Sequence, residues 1–148
     1  MKTAFSMVEL IFVIVILGIL AAVAIPKLSA TRDDAKVTSM ADSIKTAAGE
    51  IVAVVVAQGN ADANLTDMSH ALEKLIKRND AVLVAVNTIE FKIGTVSNCI
   101  TMQKVAIGQD VNLTVTYGVS SDPRCDQLQT LVNMSQYTIP LRGERIEY

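Results

Sequence analysis

Few residues in this 148-residue chain are of a type and at a spacing that could do chemistry, and the foremost is a carboxylate in an apolar setting. Glu9 stands inside the run from Phe5 to Ile25, 21 residues with no other charge. An acid within a membrane-spanning helix costs roughly 2 to 3 kcal/mol near the centre and less near an end, so it is expected to be paired and to have a job. Its own helix offers almost no cation. Cys99 and Cys125 are the only cysteines and His70 the only histidine. No Ser or Cys stands at a recognisable catalytic spacing from His70, and a Cys–His nucleophile built from Cys99 or Cys125 competes with a disulfide between those two. Asp62, Asn64 and Asp67 crowd one polar loop without the Gly and distal Glu of a calcium loop. Nothing in these patterns calls for a metal or cofactor, and the chain reads as non-catalytic.

The elements that carry these residues follow from hydropathy. At about 1.5 Å of helical rise per residue, the run from Phe5 to Ile25 covers roughly 30 Å, the hydrocarbon thickness of a bilayer. It can cross a membrane as a helix. Lys2 lies before the span and favours a cytoplasmic N-terminal end, whereas Lys27, Arg32 and Lys36 beyond it, with Asp33 and Asp34 among them, weaken that asymmetry. Formal charge is −2, and this mild acidity argues against direct nucleic-acid binding, which needs clustered Lys and Arg. Cys99 and Cys125 both lie in the distal half, and a pair exported to an oxidising compartment is expected to bond, the other reading being two unrelated buried thiols. Closing that loop contributes roughly 3 kcal/mol in the chain-entropy picture.

The stretch Lys2-Thr3-Ala4-Phe5-Ser6-Met7-Val8-Glu9-Leu10, continued through Ile11 to Ile25 with Gly18 inside and Pro26 at the end, resembles the N-terminus of type IV prepilins and the related pseudopilins. The likeness covers about the first 27 residues, and Ala4 stands where the family usually has Gly. It implies that a prepilin peptidase cuts between Ala4 and Phe5, that the same enzyme N-methylates Phe5, and that residues 1–4 are a leader. Losing Lys2 with the leader takes the formal charge from −2 to −3, since a new amine replaces the old one. The new α-amino group is a cation at the start of the apolar helix, the partner that Glu9 lacks. Within one helix the amine and Glu9 are one turn apart, whereas in a staggered bundle the Glu9 of one subunit could instead reach the amine of the next, the pairing that the family uses to set axial register. The resemblance further implies storage in the bacterial inner membrane with the head in the periplasm, then assembly into an extracellular homo-oligomeric filament. A platform protein and a cytoplasmic assembly ATPase are the implied partners.

Beyond Pro26, which is expected to kink the helix without ending it, residues 27–59 keep a helical period. Val37, Met40, Ala41, Ile44, Ala47, Ala48, Ile51, Val54 and Val55 recur at three- and four-residue steps, with Lys36, Asp42, Lys45 and Glu50 between them. A helix from Phe5 to Ala57 would be roughly 80 Å long, with Gln58-Gly59-Asn60 as its stop. Residues 60–148 predict a small α/β head, and the fold class is α+β: a long helix packed on an antiparallel sheet. Asn60 to Asn64 reads as a loop. Thr66 and Asp67 open a short helix carrying Leu72, Leu75 and Ile76, with His70 ahead of it, and Asn79-Asp80 ends it. The period then becomes two, with Ile89, Phe91 and Ile93, then Ile100 to Ile107 and Asp110 to Tyr117 around a Gly108-Gln109 turn. Pro123 is read as a break, Asp126 to Val132 as a short helical turn, Cys125 as a loop residue, and Tyr137 to Tyr148 as an edge strand containing Pro140.

Three further readings stay open. Asp62-Ala63-Asn64-Leu65-Thr66 and Asp110-Val111-Asn112-Leu113-Thr114 resemble an extended bacterial glycosylation acceptor, Asn64 being favoured over a strand-embedded Asn112. Ala22-Val23-Ala24 has the small-x-small form of a signal-peptidase site, which predicts a soluble periplasmic binding domain starting near Ile25. Against that stand Glu9 in the would-be hydrophobic region, a single Lys before it, and a helical stripe that runs on unbroken. Within the family, surface pilins, secretion pseudopilins and DNA-uptake pseudopilins share this N-terminus, so the motif does not choose among them. Secretion-type major pseudopilins usually carry a C-terminal calcium loop and lack a disulfide, so the pattern here leans toward a surface pilin, serving adhesion, motility or DNA uptake, over a type II secretion pseudopilin.

Overall fold

The structure, a computed structural model, describes residues 6–59, 61, 64–107, 110–134 and 138–141. The leader with Ala4 and Phe5, the Gly108-Gln109 turn, Asp62, and the segment 142–148 read as part of a last strand lie outside the described residues.

Helix α1 (Met7–Gln58) is one continuous helix with Pro26 inside it. The chain divides into two compact units within this helix, after Lys36. In the first unit the helix from Leu10 to Ile25 is apolar on every side, as its sequence there has no period to separate a wet face from a dry one, and the charges of Lys27, Arg32, Asp33, Asp34 and Lys36 follow it. It is long and apolar enough to cross a membrane. In the second unit the three- and four-residue spacing takes over, and Val37, Met40, Ala41, Ile44, Ala47, Ala48, Ile51 and Val55 are buried. Val54 is only half-buried. Gly59, at φ 69°, supplies the left-handed residue that ends the helix, its N–H returning to the Val55 carbonyl at 2.8 Å.

The helix expected from Thr66 is instead two: α2 (Leu65–Met68) and α3 (His70–Lys77), separated by Ser69. His70 is therefore the first residue of α3 rather than a residue ahead of a helix. The cause of the break lies in α1, where the Glu50 carboxylate accepts the Ser69 hydroxyl at 2.6 Å and the Ala71 N–H at 3.0 Å. Ser69 in turn caps α3 by accepting from the Leu72 N–H at 3.2 Å.

Among the described residues five antiparallel strands follow in the order β1 (Ala81–Ala85), β2 (Thr88–Ile93), β3 (Val96–Ile107), β4 (Asp110–Tyr117), β5 (Ile139–Pro140). Strict alternation in β2 puts Ile89, Phe91 and Ile93 inside. Ile100 and Met102 of β3 lie opposite Phe91 and Ile89, and Tyr117 and Val115 of β4 lie opposite Ile100 and Met102. Pairing of β3 with β4 runs from Ile100–Tyr117 to Ile107–Asp110. Pro140 sits on the β5 edge, where its missing donor costs nothing. These inner faces, the α1 stripe and Leu65, Leu72, Leu75 and Leu128 make one core.

Pro123 does not merely break the chain. It occupies the first turn of α4 (Pro123–Val132), where its fixed φ suits a helix start and its lost N–H is not missed. Asp122 caps this helix, accepting from the Arg124 N–H at 2.9 Å. Asn133, at φ 47°, ends it. Cys125 is accordingly a helical residue, not a loop residue.

Candidate functional site: a capped carboxylate on an apolar helix, and a buried disulfide

Glu9 is not left without a partner on its own helix. The Ser6 N–H donates to Glu9 Oε2 at 2.9 Å, and the Glu9 N–H donates to Ser6 Oγ at 3.2 Å. This reciprocal pair is a capping box, which satisfies two of the free N–H groups at a helix start and places the negative charge at the positive end of the helix dipole. Neither partner is a cation, but a backbone donor and the helix dipole do part of what a cation would do. The signal was in the sequence: Ser6-Met7-Val8-Glu9 has the spacing of the motif. From Leu10 to Leu28 the large apolar side chains are exposed, 41% for Ile16 at the least. Phe5, the predicted methylation site, cannot be placed against Glu9 because it lies outside the described residues.

Cys99 and Cys125 form a disulfide with Cα atoms 5.6 Å apart, both side chains fully buried. It joins β3 to the first turn of α4. The Gln129 amide reinforces the joint one helical turn further on, donating to the Cys99 carbonyl at 2.9 Å and to the Gly118 carbonyl at 2.8 Å. Gly118 itself lies so close to the Asn98 carbonyl that a Cβ has no room. At the other end of α4, the Met134 N–H donates to the Tyr117 hydroxyl at 2.7 Å. Asp122 holds the Arg124 guanidinium at 2.8 Å, and this contact keeps the Asp122 carboxyl below the usual carboxylate range.

The other chemistry-bearing residues are scattered. His70 is exposed, with Nδ1 3.8 Å from Glu73, and the disulfide removes both thiols as partners for it. Lys77 lies 2.7 Å from Glu73 and is the first cause of that carboxyl's lowered pKa. Asn64 is exposed at the start of α2, its amide donating to Asp67 at 3.1 Å. Asn112 is half-buried inside β4, paired with Val105 on one side and Pro140 on the other. Of the two acceptor-like sequences, Asn64 is the more exposed. Among the described residues no group of His, Cys, Asp or Glu is placed to hold a metal ion.

Comparison of the chain with family models, with characterised proteins and with solved structures finds no match.

Proposed function

We propose that this chain is a structural subunit of a type IV pilus, processed by a prepilin peptidase between Ala4 and Phe5 and packed by its N-terminal helix into a filament. The observation that carries the reading is the exposed apolar half of α1, capped at its start by a lone carboxylate. A helix apolar on all sides is stable only in lipid or against other apolar helices. A subunit that is first stored in a bilayer and then transferred into a bundle of its own kind uses both environments. Glu9 is the register charge in this scheme, and the surface from Leu10 to Ala24 is the packing surface. The small sheet head, held by the Cys99–Cys125 bond, is the part displayed outside.

The disulfide, taken with the resemblance, favours a surface pilin over a secretion pseudopilin. Oxidation of two buried thiols fits a head matured in an oxidising compartment.

Intact mass and N-terminal sequencing of the protein from its native membrane fraction test the reading. A chain that starts at singly methylated Phe5, two hydrogens lighter before reduction than after, is the expected result. A chain that starts near Ile25 overturns it in favour of a soluble exported domain. Loss of extracellular fibres on deletion of the chain supports the pilin reading, and a secretion defect without fibres reverses it.

A further inference from the structure

The reciprocal bonds between Ser6 and Glu9 decide where α1 begins. Each helical N–H donates to the carbonyl four residues back, so a helix running back through Ser6 would give the Glu9 N–H to Phe5 and the Ser6 N–H to Lys2. Both donors are committed elsewhere, the Glu9 N–H to Ser6 Oγ at 3.2 Å and the Ser6 N–H to Glu9 Oε2 at 2.9 Å. The first rung of the helical ladder among the described residues is accordingly the Leu10 N–H on the Ser6 carbonyl, at 3.3 Å. The bond predicted to be cut, Ala4–Phe5, precedes this cap in the sequence.

The residues ahead of the cap carry no strong helix breaker. Residues 1–5 contain neither proline nor glycine, and Ala, which stands at position 4, is the strongest helix former. The resembled family usually has Gly at that position, and Gly resists a helix by itself. In this chain the resistance is left to the cap. This bears on cleavage, because a peptide inside a helical ladder must open before a peptidase can hold it. Where opening is fast, the rate of cutting follows the open fraction.

We infer that Ser6 is a positioning residue for processing: its cap keeps the start of α1 behind the Ala4–Phe5 bond and stands in for the Gly that position 4 lacks. The inference rests on the proposed cleavage by a prepilin peptidase. The two devices are of matching strength. Replacing a Ser cap by Ala shifts a helix equilibrium by roughly fivefold, and Gly in place of Ala within the helix shifts it back by about the same factor. Glu9 has a separate part, since its truncation leaves the N–H of residue 9 on Ser6 Oγ and keeps half of the box. Hydrolysis of the bond consumes one water and yields the Ala4 carboxylate and the Phe5 amine, and Ser6 supplies no atom to it.

The test follows cutting of the full-length chain over time, by intact mass, in native membranes that contain the peptidase. Wild type is compared with Ser6→Ala, Ser6→Thr, Ala4→Gly and the double variant of Ser6→Ala with Ala4→Gly. The expected result is several-fold slower cutting of Ser6→Ala, the wild-type rate for Ser6→Thr, and recovery of most of the loss in the double variant. Amide exchange of the uncut chain in detergent should show Met7 and Val8, whose helical acceptors would be Thr3 and Ala4, newly protected in the Ser6→Ala single variant. Cutting of Ser6→Ala at the wild-type rate overturns the positioning role and leaves the processing reading intact. An equal gain from Ala4→Gly in wild type and in Ser6→Ala, or unchanged exchange, overturns the cap mechanism in favour of direct contact between Ser6 and the peptidase. Wild-type chain that is never cut at Ala4–Phe5 overturns both readings together.

Discussion

Glu50→Ala should destabilise the head far more than its position on the helix suggests. The carboxylate accepts from Ser69 Oγ at 2.6 Å and from the Ala71 N–H at 3.0 Å, and Ser69 is 2% exposed. A hydrogen bond to a charged group is worth about 1.5 to 3 kcal/mol when desolvated. The carboxylate here is half-buried, so water replaces part of what it provides and the pair together should contribute about 2 kcal/mol. Urea unfolding of the full chain in detergent, followed by near-ultraviolet circular dichroism of its three tyrosines, reads the head and not the helix. For a slope of about 1 to 3 kcal/mol per molar, the midpoint should fall by roughly 1 M. A shift too small to measure would mean that Glu50 does not hold the α2–α3 junction.

The same contact should be pH-dependent with a defined sign. Ser69, then the Ala71 N–H, hold the Glu50 carboxyl below its ordinary value of 4.5, and His70 and Lys74 add to this. A group with a folded pKa below the unfolded one stabilises fully above the unfolded value and loses that contribution as pH falls through the folded one. The gap in stability between wild type and Glu50→Gln should therefore be open at neutral pH and close in acid below about pH 4. A gap that is constant across that range would refute the ionic origin of the contact.

Reducing Cys99–Cys125, or replacing both by Ser, should remove between about 3 and 4 kcal/mol for a loop of this length, visible as a lower urea midpoint in reductant; an unchanged midpoint would show that the bond constrains nothing. Gly118→Ala should cost on the order of 2 kcal/mol because its Cβ meets the Asn98 carbonyl, whereas Gly49→Ala, with open space around it, should gain up to about 1 kcal/mol as a helical substitution. The same unfolding assay ranks them, and the reverse order would discredit the packing seen at Gly118. Glu9→Ala should leave processing at Phe5 largely intact, by N-terminal sequencing, while depressing fibre yield; normal yield would sink the register role.

What the sequence made legible was whatever has a period. The alternation of Ile89, Phe91 and Ile93 and the three-and-four spacing from Val37 to Val55 identify β2 and the buried half of α1, since one face of each meets the core. β1 has no such pattern: Ala81 to Ala85 is apolar at every position, so no alternation marks it as a strand. The break at Ser69 was illegible for a different reason, being made by Glu50, 19 residues earlier in the chain. Asp122-Pro123 was a local signal of cap and first turn that competed with Pro as a strand breaker, and the cap won because its donor was at hand. At the site, Glu9 stood out by its cost in an apolar run, while Ser6 did not, although the capping-box spacing was present in the four residues that join them.

The Ser6–Glu9 box alters how the acid can serve the proposed filament. An ionised carboxylate has room for about four hydrogen bonds, and the Ser6 N–H takes one of them. The cap therefore lowers the cost of holding Glu9 near the end of a lipid-embedded helix without consuming its capacity to accept a cation. A new amine at Phe5, whether of the same subunit or of a neighbour, adds to the cap instead of replacing it. In the proposed filament, register would follow from the difference between two satisfied states: capped alone in the membrane, and capped with a cation in the bundle. The strength of the proposed register signal would be the increment between them, smaller than the full cost of a bare charge in lipid.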